Sequence, residues 1–231
     1  MAMSSQPGPH RLTTPRAAAV AGVVFALLFG AVLILIRTKM PEGVEGSEQW
    51  LTSRRSGIVT ATVLMPFAGI SFLWFMGVVR DGLGQYEDRF FSTVFLGSGL
   101  LFLAMMFVSM SLAAGLEATN TAVTDPAAHA EMVDLGKMVV LSSIKTYAVR
   151  MAAVFMMSLA TMWLRTGLMP RWLVGLSYLA AVSLLLASDV SMWITMAFPV
   201  WVLVVSGLLL ARAGLFEQLR AGDDGPTEPS R

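Results

Sequence analysis

The chain lacks cysteine altogether and has only two histidines among its 231 residues. Without thiols it can form no disulfide, no thiolate nucleophile and no Cys-ligated zinc or iron–sulfur centre. His10 and His129 both lie outside the long apolar runs, so the pair of intrahelical histidines that holds a haem is missing. We therefore expect no cofactor and no metal site.

Charged residues are also scarce, at 13% of the chain, against about 25% in soluble domains. Hydrophobic residues make up 56%, which leaves too little polar surface for a protein surrounded by water. The net charge is only +1, and no basic face of the kind that binds nucleic acid is present. The composition excludes an ordinary soluble domain and indicates a membrane protein whose first partner is the lipid bilayer.

Long uncharged runs separate the few charges. A helix needs about 20 residues to cross the hydrocarbon core, and the alternating pattern of a membrane-spanning barrel is absent. The runs therefore predict an all-α, polytopic transmembrane helix bundle with about six spans. These spans lie near 17–36, 58–79, 91–116, 145–164, 172–188 and 190–211.

Lys and Arg are expected to accumulate in cytoplasmic loops. With the N-terminus inside, the predicted cytoplasmic segments hold more basic residues than the outer segments, so we expect both termini in the cytoplasm. Residues 1–16 and 221–231 are small, polar and rich in Pro and Gly, and the expected tails are 1–16 and 215–231. They are expected to be disordered cytoplasmic tails, which leaves 17–214 as the transmembrane domain.

The fourth helix is expected to begin well outside the membrane. Asp125 suits an N-cap and Pro126 the first helical position, and only Gly136 interrupts the helix-forming residues before Leu164. The first turns would then form a water-facing extension. They carry His129, Glu131, Asp134 and Lys137.

A polar stripe runs along the same helix. Ser142, Thr146 and Arg150 recur at four-residue spacing, so they share one helix face, and Lys145 lies beside them. An Arg near the middle of a span costs about 2.5–3.5 kcal/mol on insertion scales. Such a residue usually faces the protein interior or a water-filled cavity and has a partner.

The topology offers two acidic partners in the outer half of the bundle. Glu117 ends the third span, and Asp189 lies in the turn before the last span. The cluster could be a pocket for an anionic or polar ligand, or an internal ion pair that fixes helix register. Asp189 could also simply cap the last helix, and Lys145 could reach the outer interface alone. The candidate cluster comprises Lys145, Arg150, Asp189, Glu117, Ser142 and Thr146.

Small residues recur at four-residue spacing on the first helix, at Ala18, Gly22, Ala26 and Gly30. Such a small-residue face lets helices approach closely in a membrane. It could pack within the chain, or the Gly22/Ala26/Gly30 part could bind a second copy or a partner membrane protein. The sequence leaves these alternatives open.

Enzyme chemistry is hard to build from these residues. The spans contain no histidine base, no aspartate pair, no Ser–His arrangement and no His/Glu metal set, so we expect no catalytic residue. A non-enzymatic accessory or interaction protein is the first interpretation. The alternatives are a small transporter or channel subunit with a polar site around Arg150, and an envelope sensor that uses the outer helical extension.

Several short motifs resemble a family of uncharacterised six-span bacterial membrane proteins of the actinobacterial type. The resemblance extends over about residues 17–211. It implies six spans and a multi-pass location in the bacterial inner membrane, and it implies no activity or site residue. The motifs are TGLMPRWL at 166–173, FPVWV at 198–202, RD at 80–81, EDRFF at 87–91 and FLGSG at 95–99.

Overall fold

The structure is a computed structural model that describes residues 14–40, 56–83, 89–119, 126–188 and 191–223. These parts of the chain are helical and contain no strand, so the all-α prediction is confirmed. A π-helical turn occupies Ser143–Ala148, and a 3₁₀ turn occupies Met192–Met196. The helices are α1 Thr14–Lys39, α2 Ser56–Leu83, α3 Arg89–Thr119, α4 Pro126–Ser142, α5 Val149–Thr166, α6 Arg171–Ala187 and α7 Ala197–Asp223.

Among the described residues, five helices are long and apolar enough to cross a membrane. The α6 helix is also apolar but shorter, at 17 residues. The outside of the bundle carries large apolar side chains: Leu27, Trp74, Leu179 and Leu186 are each more than half exposed. Water would oppose such a surface, whereas lipid chains solvate it well. The five long helices are residues 19–39, 57–82, 89–118, 131–166 and 193–211.

The helix boundaries refine those expected from the sequence. The long fourth helix begins at Pro126, as predicted, and continues to Thr166 through the π-helical turn. Its expected N-cap, Asp125, lies outside the described residues. The α7 helix runs to Asp223, past residue 214, because no proline interrupts it before Pro226. The α1 helix begins at Thr14, inside the expected N-terminal tail 1–16, and the rest of both predicted tails lies outside the described residues.

A glycine turn reverses the chain between α5 and α6. Gly167 has a φ of 66°, a left-handed conformation that side-chain-bearing residues rarely adopt. Its N–H donates to the carbonyl oxygen of Trp163 at 2.9 Å and closes the last turn of α5. Pro170 then precedes α6 in an extended conformation. This short link forces α5 and α6 to lie antiparallel and side by side.

The helices form a closed ring. The α1 helix packs on α2 and α7, α2 packs on α3, and α3 packs along the whole of α4 and α5. The α5 helix packs on α6, while α6 and α7 close the ring through sparse contacts. The α7 helix thus lies beside the first helix of the chain rather than mainly beside its predecessor.

The small-residue face of α1 packs inside the chain. Gly22 lies against the side chains of Phe75 and Ser206, and a Cβ there would lie 2.8 Å from the Phe75 ring. Ala26 and Gly30 are also buried. The ring therefore uses this face for contacts with α2 and α7 within the chain, and binding of a second copy or partner through it stays a prediction.

Phenylalanine rings fill the middle of the ring of helices. They come from α1, α2, α3, α5 and α7, are at most 1% exposed, and have neighbouring centroids 4.6 to 6.4 Å apart. These are the distances of favourable aromatic pairs, each worth about 0.5–1.5 kcal/mol beyond area burial. This aromatic layer consists of Phe25, Phe29, Phe72, Phe102, Phe155 and Phe198.

We predict that Gly99→Val destabilises the bundle by about 1–3 kcal/mol, the usual cost of overpacking. A Cβ at Gly99 would lie 3.1 Å from the Phe155 ring and closer still to the Met76 sulfur. Thermal unfolding in detergent measures the loss. Gly97→Val is the matched control, because the same helix has open space at Gly97. Equal losses in the two variants would contradict the close approach of α3 to α5.

Candidate functional site

The helix changes geometry at the residues of the polar stripe. The π-helical turn Ser143–Ala148 contains Lys145 and Thr146, and the N–H of Val149 donates to the carbonyl oxygen of Ile144. Isolated π-helical turns are rare and are frequent at functional sites. Ile144 and Ala148, near the two ends of this turn, are both fully buried. The wide turn therefore keeps one apolar side packed against the bundle. The distortion coincides with the predicted polar site.

The polar stripe lies at the edge of the bundle rather than in its interior. Lys145, Thr146 and Arg150 are partly buried, and Ser142 is exposed. Tyr147 beside them is 56% exposed. The side chains are therefore accessible from the surface that surrounds the bundle.

Arg150 extends back along its own helix. Its Nη1 donates to the carbonyl oxygen of Thr146 at 3.3 Å, one turn toward the N-terminus. At about 1.5 Å per residue, the Arg150 Cα lies about 7–8 Å from the level of Phe155. The guanidinium thus points away from the aromatic layer, toward the end of the bundle where α1 ends and α4 begins.

The register of α3 against α4 bears on the expected partner Glu117. The α3–α4 contact places Gly136 against Leu116, where a Cβ on Gly136 would lie 2.7 Å from the leucine side chain. Glu117 follows Leu116 and so lies near Gly136. Along the helix, Gly136 is about 20 Å from Arg150 and about 13 Å from Lys145. This register gives no support to the hypothesis that Glu117 faces these two cations, and the hypothesis stays a prediction.

A buried cation lies on α4 in this part of the contact with α3. Lys137 is only 4% exposed and Glu117 only 8% exposed, both at the contact between α3 and α4. Lys137 was expected in a water-facing extension, and that expectation is wrong. Gly136 has no side chain to hold the helices apart, so α3 closes over the neighbouring lysine. Of the other residues in this extension, Glu131 is exposed and Asp134 is partly buried.

Asp189, the second expected partner, lies outside the described residues. Its neighbour Ser188 can be placed by register. Thr161 on α5 and Tyr178 on α6 share a hydrogen bond between hydroxyl oxygens 2.7 Å apart. Counting outward from this contact along the two antiparallel helices brings Arg150 and Ser188 to nearly the same level. The Ser188 hydroxyl is buried and makes no hydrogen bond to another described residue.

Cation–aromatic contacts mark the two ends of the bundle. The Arg37 guanidinium carbon lies 4.9 Å from the centroid of the Trp193 ring, at the end that contains Lys145. The Arg165 guanidinium carbon lies 4.7 Å from the centroid of the Phe91 ring, at the opposite end. Arginine over an aromatic ring suits the water–lipid boundary, where the ring is apolar and the charge stays hydrated.

Several polar contacts were not predicted from the sequence. The indole N–H of Trp201 donates to the Ser177 hydroxyl at 2.7 Å, and that hydroxyl donates to the carbonyl oxygen of Leu173. The buried Lys137 was also missed, although the small Gly136 beside it was a usable signal of close packing. These pairings depend on which helices pack against each other, and the spacing of residues along one helix does not reveal that.

The described part of the chain contains no group of three His, Asp or Glu side chains placed as metal ligands would be. No protein-family model, curated protein or solved structure matches the chain. The resemblance to six-span bacterial proteins therefore stays a prediction.

Lys137 and Glu117 are both buried where α3 meets α4, and we expect their charges to compensate each other. We therefore predict that Lys137→Met destabilises the protein by about 3–5 kcal/mol, because it leaves the buried carboxylate without a compensating charge. Adding Glu117→Leu to this variant should restore most of the loss. Denaturant unfolding of the single and double variants in detergent measures both effects. Glu131→Gln on the exposed side of the same helix is the control and should change stability by less than about 0.5 kcal/mol. Additive losses in the double variant would show that the two charges do not compensate each other.

Proposed function

We propose that this chain is a six-span protein of the bacterial inner membrane with both termini in the cytoplasm. It acts as a non-enzymatic accessory or interaction protein. Five helices have the length and apolarity to span a membrane. The sixth, α6, has 17 residues and is about 26 Å long, slightly short of a hydrocarbon core of about 30 Å. An even number of spans returns the chain to the side on which it began.

The positions of two arginines support this placement in the bilayer. Arg37 lies about 12 Å along α1 from Phe29, and Arg165 lies about 15 Å along α5 from Phe155. The two cations thus lie on opposite sides of the aromatic layer. Together these two distances come to about 27 Å, close to the thickness of a hydrocarbon core of about 30 Å. The aromatic layer then lies near the centre of that core.

The aromatic layer is the observation that carries the functional proposal. A channel or transporter needs a polar path or a polar binding site near the middle of the membrane. At that level the described helices place six phenylalanine rings in mutual contact. A surface groove of about 460 Å³ between α1 and α2 is also lined almost entirely by apolar side chains. At this level the described helices therefore give a solute neither a polar path nor a polar binding site. The activity belongs to the outer surfaces of the bundle.

An envelope sensor is the second candidate, and α4 favours it. Measured along the helix, Gly136 of α4 lies about 20 Å beyond Arg150, and α4 packs against α3 at that point. Leu135 and Met138 on its other side are 65% and 70% exposed. A rigid, partly apolar helix at the outer end of the bundle could contact another envelope component.

Single cysteines test the topology, because the natural chain has none to remove. We expect Glu131→Cys to react with a membrane-impermeant maleimide in intact cells. Asp81→Cys and Leu168→Cys, both exposed positions, should react only after the inner membrane is opened. The reverse pattern would overturn the orientation, and reaction of all three in intact cells would overturn the span count.

Photo-crosslinking in living cells tests the interaction function. A photoreactive residue at Leu135 or Leu186, both largely exposed, should give discrete adducts with another protein. The same residue at the fully buried Phe102 is the control and should give none. A solute flux in reconstituted liposomes, with no adduct at either exposed position, would favour transport and overturn the proposal.

A further inference from the structure

We propose that Lys145 and Arg150 form a binding site for the phosphate of an acidic phospholipid in the outer leaflet. The site lies at the π-helical turn of the fourth helix. This inference rests on the proposed membrane placement and deepens it, because it names a ligand class for an outer surface of the bundle.

The first observation is accessibility. Lys145 and Arg150 are both partly buried at the edge of the bundle, and Tyr147 between them is more than half exposed. A lipid lying against the helix can therefore reach both cations without entering the interior. Their partial burial holds the two side chains against the protein, which lowers the entropy lost on binding.

The second observation is direction. The Arg150 side chain returns toward the carbonyl oxygen of Thr146, away from the aromatic layer. From a Cα about 7–8 Å above that layer, a long side chain extended this way approaches the edge of a hydrocarbon half-layer about 15 Å thick, where the headgroup region begins. Such snorkelling keeps the methylene groups in hydrocarbon and brings the guanidinium to the headgroups.

The third observation is the effect of the π-helical turn on the two charges. In a regular α-helix, residues five apart point to different sides. A π-helical turn pairs residue i with residue i+5, so the wide turn brings Lys145 and Arg150 closer to one face. Phosphate oxygens can accept hydrogen bonds from both an ammonium and a guanidinium group, and the planar guanidinium suits phosphate oxygens in particular.

The surroundings favour a lipid over a free anion. Leu186, near the same end of the neighbouring α6 helix, is 78% exposed, so acyl chains can lie on the apolar surface beside the cations. A free phosphate would gain none of this contact. A zwitterionic lipid would bring its own cation to a site that already carries two, so acidic lipids should bind more tightly.

Native mass spectrometry of the purified full chain in detergent tests the site. The probes are phosphatidylglycerol, phosphatidylcholine with the same acyl chains, and inorganic phosphate. The wild-type chain should retain phosphatidylglycerol preferentially. Lys145→Gln/Arg150→Gln should bind it roughly 20- to 30-fold more weakly, since each basic residue near an acidic lipid surface contributes about 1 kcal/mol.

Two further variants keep the test interpretable. Arg80→Gln removes an exposed cation at the opposite end of the bundle and should leave the selectivity unchanged. Lys145→Arg/Arg150→Lys keeps both charges and should preserve most of the preference, even where the neutral double variant folds poorly.

Three results would overturn the lipid site. Equal binding of both lipids by the wild-type chain would exclude selectivity for acidic headgroups. Displacement of phosphatidylglycerol by inorganic phosphate would make a free anion the ligand. Loss of stability in Arg150→Gln that Asp189→Asn reverses, with lipid selectivity unchanged, would assign Arg150 to an internal ion pair. The cysteine labelling pattern tests membrane placement separately, so failure of the lipid site alone leaves that pattern intact.

Discussion

Close packing of phenylalanine rings at mid-depth is the interaction on which the rest of this bundle depends. Between helices already surrounded by lipid, burial of apolar surface supplies little driving force, so van der Waals contact must hold the helices together. Rings from α1, α2, α3, α5 and α7 meet in one layer, and Gly22 and Gly99 let helices approach where these rings and their neighbours pack. The same layer fills the interior at that level, which is why the proposed function is assigned to the outer surfaces.

The helical class could be predicted from the sequence because it follows from local residue properties. A charge in hydrocarbon is costly wherever the chain places it, so gaps between charges mark helices independently of their neighbours. The early start of the fourth helix at Pro126 was predicted for the same reason, since a proline at a first helical position is a local signal. Arg150 could be identified from the sequence because the free-energy cost of placing an arginine in hydrocarbon depends only on that side chain and its depth.

The partners of the charges could not be predicted, because they depend on which helices touch and in what register. Glu117 was assigned to Arg150 from topology alone, which gives the side of the membrane but not the distance along the helix. The contact between Leu116 and Gly136 sets that distance, and Lys137 is buried in the same part of the interface. The π-helical turn was also missed, since polar spacing was read on a regular α-helix. A non-local contact and a local change of helix geometry thus account for what the sequence did not reveal.

The order of helices around the ring has a consequence for biogenesis. Insertion proceeds from the N-terminus, yet α1 packs on α7, the last helix to be made. Until α7 arrives, Phe25 and Phe29 lack Phe198 as a neighbour, and Gly22 lacks the side chain of Ser206. Contacts between the ends of a chain form slowly because they close the longest loop. A nascent intermediate of this protein therefore presents an unsealed groove on α1 to the membrane, which a chaperone or insertase could cover.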